Sequence, residues 1–287
     1  MTTLVKMLKK EGKTIGFVPT MGYLHEGHLS LVKAAKKHTD VVVMSIFVNP
    51  LQFGPREDFE KYPRDIKRDE QLASEAGVDV IFCPSAKDMY PEGYATYVNV
   101  ETLTETLCGA SRPGHFKGVT TVVAKLFHIV KPDVAYFGQK DAQQAIIIKK
   151  MVQDLNLDIE IKVMPIIRES DGLAMSSRNV NLSEEERREA LVLHQALKKA
   201  EAMIDDGERD AKKIAKTMEA MIGQTGNVRK DYLSIVDAKH LDPVATVSGE
   251  VVIAVAAFVG KTRLIDNIIK RVDPEKTKPS GTRKGQG

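Results

Sequence analysis

Short apolar runs alternate with amphipathic helical patterns along the first 170 residues of this chain. A continuous apolar run such as 41–48 is typical of a strand buried on both faces. The alternation predicts strands at 15–18, 41–48, 78–82, 134–137 and 159–167, and helices at 29–37, 65–76, 119–130 and 142–155. Repeated β-α alternation predicts an α/β fold, a Rossmann-like doubly wound parallel sheet with helices on both faces. Ligands of such sheets bind at the carboxyl ends of the strands.

The pattern changes near residue 170. Ser183 and Glu186 form a predicted capping box that opens a long helix ending near residue 205. A second helix is predicted at 210–222, followed by strands at 232–236, 251–258 and 263–269. We therefore expect an N-terminal domain at 1–170, a smaller C-terminal α+β domain at 171–272, and a disordered basic tail at 273–287.

Charge and composition narrow the class of protein. The net charge is +3, and the tail 273–287 holds four basic and two acidic residues, a local charge of +2. The body is thus nearly neutral, which argues against extensive nucleic-acid binding. The sequence has neither an apolar run of ~20 residues for a membrane span nor a hydrophobic export segment at its start. Cys83 and Cys108 are its two cysteines, and we expect Cys83 to be buried and the protein to be cytoplasmic.

The segment 19–28, PTMGYLHEGH, joins the first predicted strand to the first helix. The first N–H groups of a helix have no partner within it, so a strand that turns through glycines into a helix creates an anion site. His25 and His28 lie three residues apart here. His25 lies between Gly22 and Gly27, and His28 follows Gly27. We predict that both imidazoles donate hydrogen bonds to a phosphate as charge builds up. A helix-capping pair is the alternative, and a metal pair is a weaker one because no third ligand is near.

Two later segments have the same character. GQKD at 138–141 follows a predicted strand, and Lys140 offers a compact cation to a phosphate while Asp141 is expected to cap the next helix. MSSR at 175–178 offers two hydroxyls and the guanidinium of Arg178, which can hold outer phosphates and then release them. The alternative for 138–141 is a solvated turn, and the alternative for 175–178 is an interdomain linker.

Neutral amides provide a third kind of candidate. Asn49, Gln52 and Gln144 can form hydrogen bonds with substrate hydroxyls, and neither partner in such a bond needs to be charged. Asn49 precedes a proline, so a simple turn is an equally good interpretation there. Arg112 is the candidate for an anionic group, against the alternative of a surface arginine.

Five segments in this order resemble the pantoate–β-alanine ligase family over residues from about 1 to 270. They are PTMGYLHEGH at 19–28, FVNPLQFGP at 47–55, SRPGHFKGV at 111–119, YFGQKDAQQ at 136–144 and DGLAMSSRN at 171–179. The HxGH pattern alone is shared by the wider nucleotidylyltransferase superfamily, which includes class I aminoacyl-tRNA synthetases, and MSSR is similar to their KMSKS loop. The five segments together are far more specific than any one of them.

The resemblance implies an AMP-forming ligase that condenses (R)-pantoate with β-alanine through pantoyl adenylate and gives pantothenate, AMP and pyrophosphate. It implies ATP as substrate, Mg²⁺ accompanying the ATP with no direct protein ligand, and a homodimer with neither nucleic-acid nor membrane partners. The N-terminal domain would bind ATP and pantoate. The C-terminal domain would act as a lid that keeps water from the adenylate.

The resemblance also assigns residues. The catalytic set is His25, His28, Lys140 and Arg178. The ATP-binding set is Met21, Gly22, Tyr23, Leu24, His25, Glu26, Gly27, His28, Gly138, Gln139, Lys140, Asp141, Ile167, Met175, Ser176, Ser177 and Arg178. The set for pantoate or β-alanine is Gln52, Gln144, Asn49 and Arg112, with Phe137 and Val122 against the two methyl groups of pantoate. Gln139 departs from the family, which often has glutamate there.

Three other functions remain as alternatives. A nucleotidylyltransferase acting on a phosphorylated alcohol would need an extra cationic pocket, and the pair Gln52 and Gln144 argues against one. A non-catalytic nucleotide sensor would not need both histidines and Lys140. A tRNA-charging enzyme would need an anticodon-binding domain or a basic face, and neither is evident.

Overall fold

Five parallel strands form the larger of two sheets in a computed structural model that describes residues 1–55 and 57–273. The strands are β1 (Ile15–Thr20), β2 (Val41–Ile46), β3 (Val80–Phe82), β4 (Val134–Gly138) and β5 (Glu160–Met164). Their spatial order is β3-β2-β1-β4-β5, and every pairing is parallel. The order reverses between β1 and β4, which creates a crevice at their carboxyl ends. The predicted doubly wound sheet is confirmed.

Helices cover both faces of this sheet. They are α1 (Thr2–Lys10), α2 (Glu26–Lys36), α3 (Ile66–Ala76), the short α4 (Ala86–Met89) and α5 (Cys108–Ser111), α6 (His115–Val130) and α7 (Ala142–Asp154). Successive strand residues point to opposite faces. Phe17 and Phe137 accordingly pack with α6 and α7, whereas Val18 and Tyr136 pack with α2 and α3. Each face of the sheet thus has its own apolar core.

Several element ends differ from the sequence predictions. Helix α2 begins at Glu26, three residues early, because His25 caps it. Helix α6 begins at His115 rather than 119, directly after Gly114, whose φ of 83° suits a glycine. Strand β5 ends at Met164 because Pro165 follows it. Helix α1 was not among the predicted helices.

The C-terminal unit is an antiparallel sheet with two helices on one face. Its elements are α8 (Glu184–Asp205), α9 (Ala211–Ile222), β6 (Val228–Asp237), β7 (Gly249–Val259) and β8 (Thr262–Val272), with strand order β6-β7-β8. The predicted capping box between Ser183 and Glu186 is confirmed. Leu197 and Met218 from the helices pack against alternate residues of β7. All three strands are longer than predicted.

Two expectations about the rest of the chain have different outcomes. The expectation that Cys83 is buried is wrong: the residue is exposed, because it follows the short, half-buried edge strand β3, while Cys108 is buried. The predicted disordered tail lies outside the described residues except for Asp273. Among the described residues, no helix combines the length and the apolar character that crossing a membrane requires.

Candidate active site

Two connected cavities lie where β1 and β4 end. The first, of about 220 Å³, is bounded by the residues after β1, β2 and β4 and by the 175–178 segment, and we call it the sheet cavity. The second, of about 690 Å³, lies between that edge and β8, and we call it the interdomain cavity. The residues that line both are Arg112, His115, Lys140, Asp141, Gln144, Ser176 and Arg178. The two cavities are therefore halves of one cleft.

Most residues predicted for ligand binding line the sheet cavity. They are Met21, His25, Gly27, His28, Asn49, Gln52, Arg112, Gly138, Lys140, Asp141, Gln144, Ile167, Met175, Ser176, Ser177 and Arg178. Phe137 and Val122 line it as well. The segments that the sequence keeps far apart thus converge on one space, as the predicted triphosphate site requires.

His25 and His28 form a reciprocal cap at the start of α2. The His25 Nδ1 accepts a hydrogen bond from the N–H of Gly27 at 3.1 Å, and the His28 Nδ1 accepts one from the N–H of His25 at 3.3 Å. Their rings stack with centroids 4.0 Å apart. Because each Nδ1 is an acceptor, a neutral ring carries its proton on Nε2. The capping alternative is correct and is compatible with ligand binding, since the Nε2–H groups remain as donors.

The pKa values of both imidazoles are low. Burial, with the charge of Lys140 second, lowers the pKa of His25 to about 4. Burial also lowers the pKa of His28 well below its ordinary value, and His25 and Lys140 add to the effect. Both rings are therefore neutral at pH 7 and can act as hydrogen-bond donors rather than as cations.

Asp69 fixes the turn that leads to these histidines. Its side chain is 1% exposed, and it accepts the backbone N–H groups of Tyr23 and Leu24, both at 2.7 Å. Gly22 and Tyr23 have φ of 81° and 51°, so the turn is left-handed at two successive residues. No local pattern pointed to Asp69, because it lies in α3, more than forty residues away.

Four residues of the 19–28 segment that were predicted to contact ATP do not line the cleft. Leu24 is fully buried in the core between α2 and the sheet. The backbones of Gly22 and Tyr23 turn toward Thr20 and Asp69. Glu26 forms an exposed ion pair with Lys33 on α2. The conformation of the turn therefore points these residues away from the cavity.

The GQKD segment forms a 3₁₀ turn, Gln139–Asp141. Lys140 lines both cavities, and within the described part of the chain no carboxylate lies within ion-pair distance of its ammonium. The expectation that the Asp141 side chain caps α7 is wrong: the residue occupies the N-cap position with φ of −98° and ψ of 56°, and makes no side-chain cap hydrogen bond. It lines the cleft instead. Gln139 does not line the cleft, because its side chain donates to Asn267 at 3.3 Å.

Two neighbouring acidic residues hold the two arginines of the cleft. Arg178 donates from Nε and a terminal nitrogen to both carboxylate oxygens of Asp58, at 2.7 and 2.9 Å. Arg112 forms an equivalent fork with Glu57, with an Nε distance of 2.8 Å. The guanidinium of Arg178 also lies over the ring of Tyr62, 5.4 Å from its centroid. Neither ion pair was predicted, because nothing in the sequence connects 57–58 with 112 or 178.

His115 links Arg112 to the amide pocket. An arginine only donates, so the 3.1 Å contact from Arg112 makes the His115 Nε2 an acceptor. The His115 Nδ1–H then donates to the backbone oxygen of Gln52 at 2.8 Å. Burial, with the charge of Arg112 second, lowers the pKa of His115 to about 4. This histidine lies within one of the five segments of the family resemblance, but no role was predicted for it.

The predicted amides differ in how available they are. Asn49 is 1% exposed and donates to Gln52 and to the backbone oxygen of Gly118, both at 3.1 Å, while accepting from Tyr90 at 2.7 Å. It also caps the 3₁₀ turn Pro50–Gln52, so the turn interpretation is correct for it. The side-chain nitrogen of Gln52 donates to the sulfur of Met21 at 3.2 Å, and its side-chain oxygen accepts the bond from Asn49. Gln144 is half-buried and lines both cavities, so it is better placed than Asn49 to meet a ligand.

Fold and cleft together define an α/β protein with a cleft lined by histidine, lysine and arginine at the switch point of a doubly wound sheet. A family model described as pantoate-beta-alanine ligase matches residues 1–269. The chain belongs to the pantoate–β-alanine ligase family.

Individual relatives agree with this assignment. The chain is 58% identical to the pantothenate synthetase of Caldicellulosiruptor saccharolyticus over 272 residues, covering 95% of this chain and 97% of the relative. It is 59% identical to that of Moorella thermoacetica over 269 residues, covering 94% and 95%. The crystal structure of pantothenate synthetase from Thermus thermophilus superposes with a TM-score of 0.88 at 48% identity, covering 92% and 96%.

A fourth relative was crystallised with ligands. The pantoate-beta-alanine ligase of Francisella tularensis, described as complexed with beta-gamma ATP and beta-alanine, gives a TM-score of 0.74 at 35% identity, covering 92% of this chain and 94% of that one.

Proposed function

We propose that this chain condenses (R)-pantoate with β-alanine in an ATP-dependent reaction, forming pantothenate, AMP and pyrophosphate through pantoyl adenylate. The observation that carries the proposal is the meeting of His25, His28 and Lys140 with the amides Gln52 and Gln144 around one cleft. The family match over residues 1–269 supports this reaction over the three alternatives from the sequence.

In the first step the carboxylate oxygen of pantoate attacks the α-phosphorus of ATP. A bond from oxygen to phosphorus forms, the bond from the α-phosphorus to the bridging oxygen breaks, and pyrophosphate leaves. The step brings one anion to another, so the site must offset repulsion. We assign this role to the ammonium of Lys140 and to the Nε2–H donors of His25 and His28, which stay neutral because their pKa values are low.

In the second step the neutral amine of β-alanine attacks the acyl carbon of the adenylate. The new C–N bond forms, the bond from the acyl carbon to the AMP oxygen breaks, and the amine proton is lost. We assign the approach of the amine to the interdomain cavity, which adjoins the sheet cavity through seven shared residues. We assign the two hydroxyls of pantoate to Gln52 and Gln144, and its methyl groups to Phe137 and Val122.

Arg178 and the 175–178 segment are proposed to hold the pyrophosphate. The guanidinium is paired with Asp58, so it would exchange that carboxylate for phosphate oxygens when ATP binds. Arg112 is proposed for the carboxylate of a substrate, with the same exchange against Glu57.

Mg²⁺ is proposed to enter with ATP, held by the phosphate oxygens without a direct protein ligand. Bound there, it would neutralise charge on the leaving pyrophosphate. Asp141 fits such an ion, because the residue lines both cavities and its carboxylate can accept hydrogen bonds from water that the ion holds. We assign Asp141 to the water shell of the ion.

Three further points rest on the family resemblance or on composition. We propose domains at 1–170 and 171–272, a homodimer, and a cytoplasmic location. Light scattering of the purified protein tests the oligomer, and a monomer mass at micromolar concentration would contradict it.

Product analysis tests the proposed reaction. Pantothenate and AMP should form only when ATP, pantoate and β-alanine are all present, whereas pyrophosphate should be released without β-alanine. His28→Ala and Lys140→Ala should each lower turnover by ~10²–10³, the scale seen when one charge-stabilising donor is removed. Release of pyrophosphate stimulated by a phosphorylated alcohol instead of pantoate would identify a different transferase.

A further inference from the structure

Asn267, a residue of β8 in the C-terminal unit, holds the turn that carries Lys140. Its amide nitrogen donates to the backbone oxygens of Gln139 and Lys140, at 3.0 and 2.9 Å. Its amide oxygen accepts from the side chain of Gln139 at 3.3 Å. The residue is 3% exposed, so water cannot easily replace these bonds. One buried side chain thus fixes two of the three carbonyls of the 3₁₀ turn.

The neighbouring residue ties the same strand to a second loop of the cleft. Asp266 is 4% exposed and pairs with Arg168 through both carboxylate oxygens, at 2.6 and 2.9 Å. Arg168 also donates to the backbone oxygen of Gly172 at 3.1 Å, within the hairpin loop that the Arg168–Ala174 bridge closes and that leads to the 175–178 segment. Asp266 in turn accepts the backbone N–H of Asn267 at 2.8 Å, which fixes that residue.

We propose that Asn267 is a positioning residue for the reaction, and that the C-terminal unit completes the active site by setting where Lys140 lies. This inference rests on the proposed function, since it acts through the role of Lys140. A backbone carbonyl only accepts, so the position needs a side chain with two N–H donors in one plane. Displacement of a catalytic group by about 1 Å can lower turnover by ~10²-fold, so loss of this anchor should be visible in rate.

The same contacts bear on the expected lid. Any movement of the C-terminal unit would carry the Lys140 turn and the Arg168 hairpin with it, unless buried hydrogen bonds break. The buried bonds therefore fasten the C-terminal unit to both loops of the cleft.

A double-mutant cycle separates positioning from general stability. Asn267→Ala should lower the rate of pyrophosphate release from ATP and pantoate by ~10- to 10²-fold, with a smaller effect on KM for ATP. The variant Lys140→Ala/Asn267→Ala should be no slower than Lys140→Ala, because the amide acts through the lysine. Asn267→Ser, which keeps one donor, should be intermediate.

Val255→Ala is the matched control. Val255 lies in β7 of the same sheet, is fully buried in the core of the C-terminal unit, and lines neither cavity. It should lower the melting temperature without changing the rate. Equal losses of rate and melting temperature in both variants, or multiplicative losses in the double variant, would overturn the positioning role. If Asn267→Ala does not fold, Asn267→Ser decides by the same criteria.

The results can distinguish failure of the proposed function from failure of the inference about Asn267. A wild-type chain that releases no pyrophosphate with pantoate, or a Lys140→Ala variant with normal turnover, refutes the function itself. Normal rates in Asn267→Ala, with Lys140→Ala impaired, refute only the inference about Asn267.

Discussion

Gly27→Ala adds one methyl group between the two histidines of the cleft. This change should lower activity strongly while leaving stability almost unchanged. A Cβ atom on Gly27 would lie 2.8 Å from Cε1 and 2.9 Å from Nδ1 of His25, and 3.8 Å from the Cβ of Met175. The first two distances are shorter than side chains tolerate, so the His25 ring must rotate. Rotation breaks its bond to the Gly27 N–H and its stacking on His28.

Gly27→Ala has two opposing effects on stability, a gain in helix propensity and the loss of a capping hydrogen bond. Its effect on catalysis has no such compensation. Alanine in a helix is favoured over glycine by up to ~1 kcal/mol. Loss of a capping hydrogen bond costs about 1 kcal/mol. The free energy of unfolding should therefore change little. Turnover should fall by ~10²–10³, because a donor to the reacting phosphate is misplaced.

The assay pairs pyrophosphate release, at saturating ATP and pantoate, with thermal unfolding of the same samples. Gly226→Ala is the control, because a Cβ there meets its nearest atom, Oε1 of Glu189, at 3.7 Å and the residue lines neither cavity. It should match the wild type in both measurements. Turnover near the wild-type value in Gly27→Ala would refute the reasoning, because the ring could then move without consequence.

Three further predictions concern charge and exposure. The pKa of His25 is lowered from 6.5 to about 4, so between these pH values the unfolded chain binds a proton that the folded chain does not. The free energy of unfolding should therefore decrease as the pH is lowered through this window. Melting curves at pH 7 and 5 should show a shallower decrease in His25→Gln. Asp58→Asn should lower KM for ATP by about two- to fivefold. The reason is that a partly exposed ion pair, worth up to ~1 kcal/mol, no longer competes with ATP for Arg178. A higher KM would contradict this prediction. Ellman's reagent should titrate Cys83 in the native protein and Cys108 only in denaturant, and two rapidly reacting native thiols would contradict the burial of Cys108.

The sequence was a good guide wherever a local pattern dictates structure. Apolar strand runs and the capping box of Ser183 act through neighbours within a few residues, and each predicted element formed, although several of its ends differ. The convergence of Lys140 on His25 and His28 also followed, because parallel strands present their carboxyl ends at one edge.

Most contacts that the sequence did not predict join distant parts of the chain. The pairing of Arg178 with Asp58 joins residues 120 positions apart, and no local pattern encodes it. Asn267 could not be singled out for the same reason. Side-chain direction was the other weakness: Leu24 sits within a motif yet points into the core, because the turn that Asp69 holds rotates it there.

The seven residues shared by the two cavities have a consequence for inhibition. Under the proposed assignment of substrates, a compound confined to the interdomain cavity would leave the sheet cavity, which is assigned to the nucleotide, accessible. It would block the incoming amine and trap the activated acid on the enzyme, so raising the ATP concentration would not relieve it. A compound bridging both cavities would instead compete with the nucleotide.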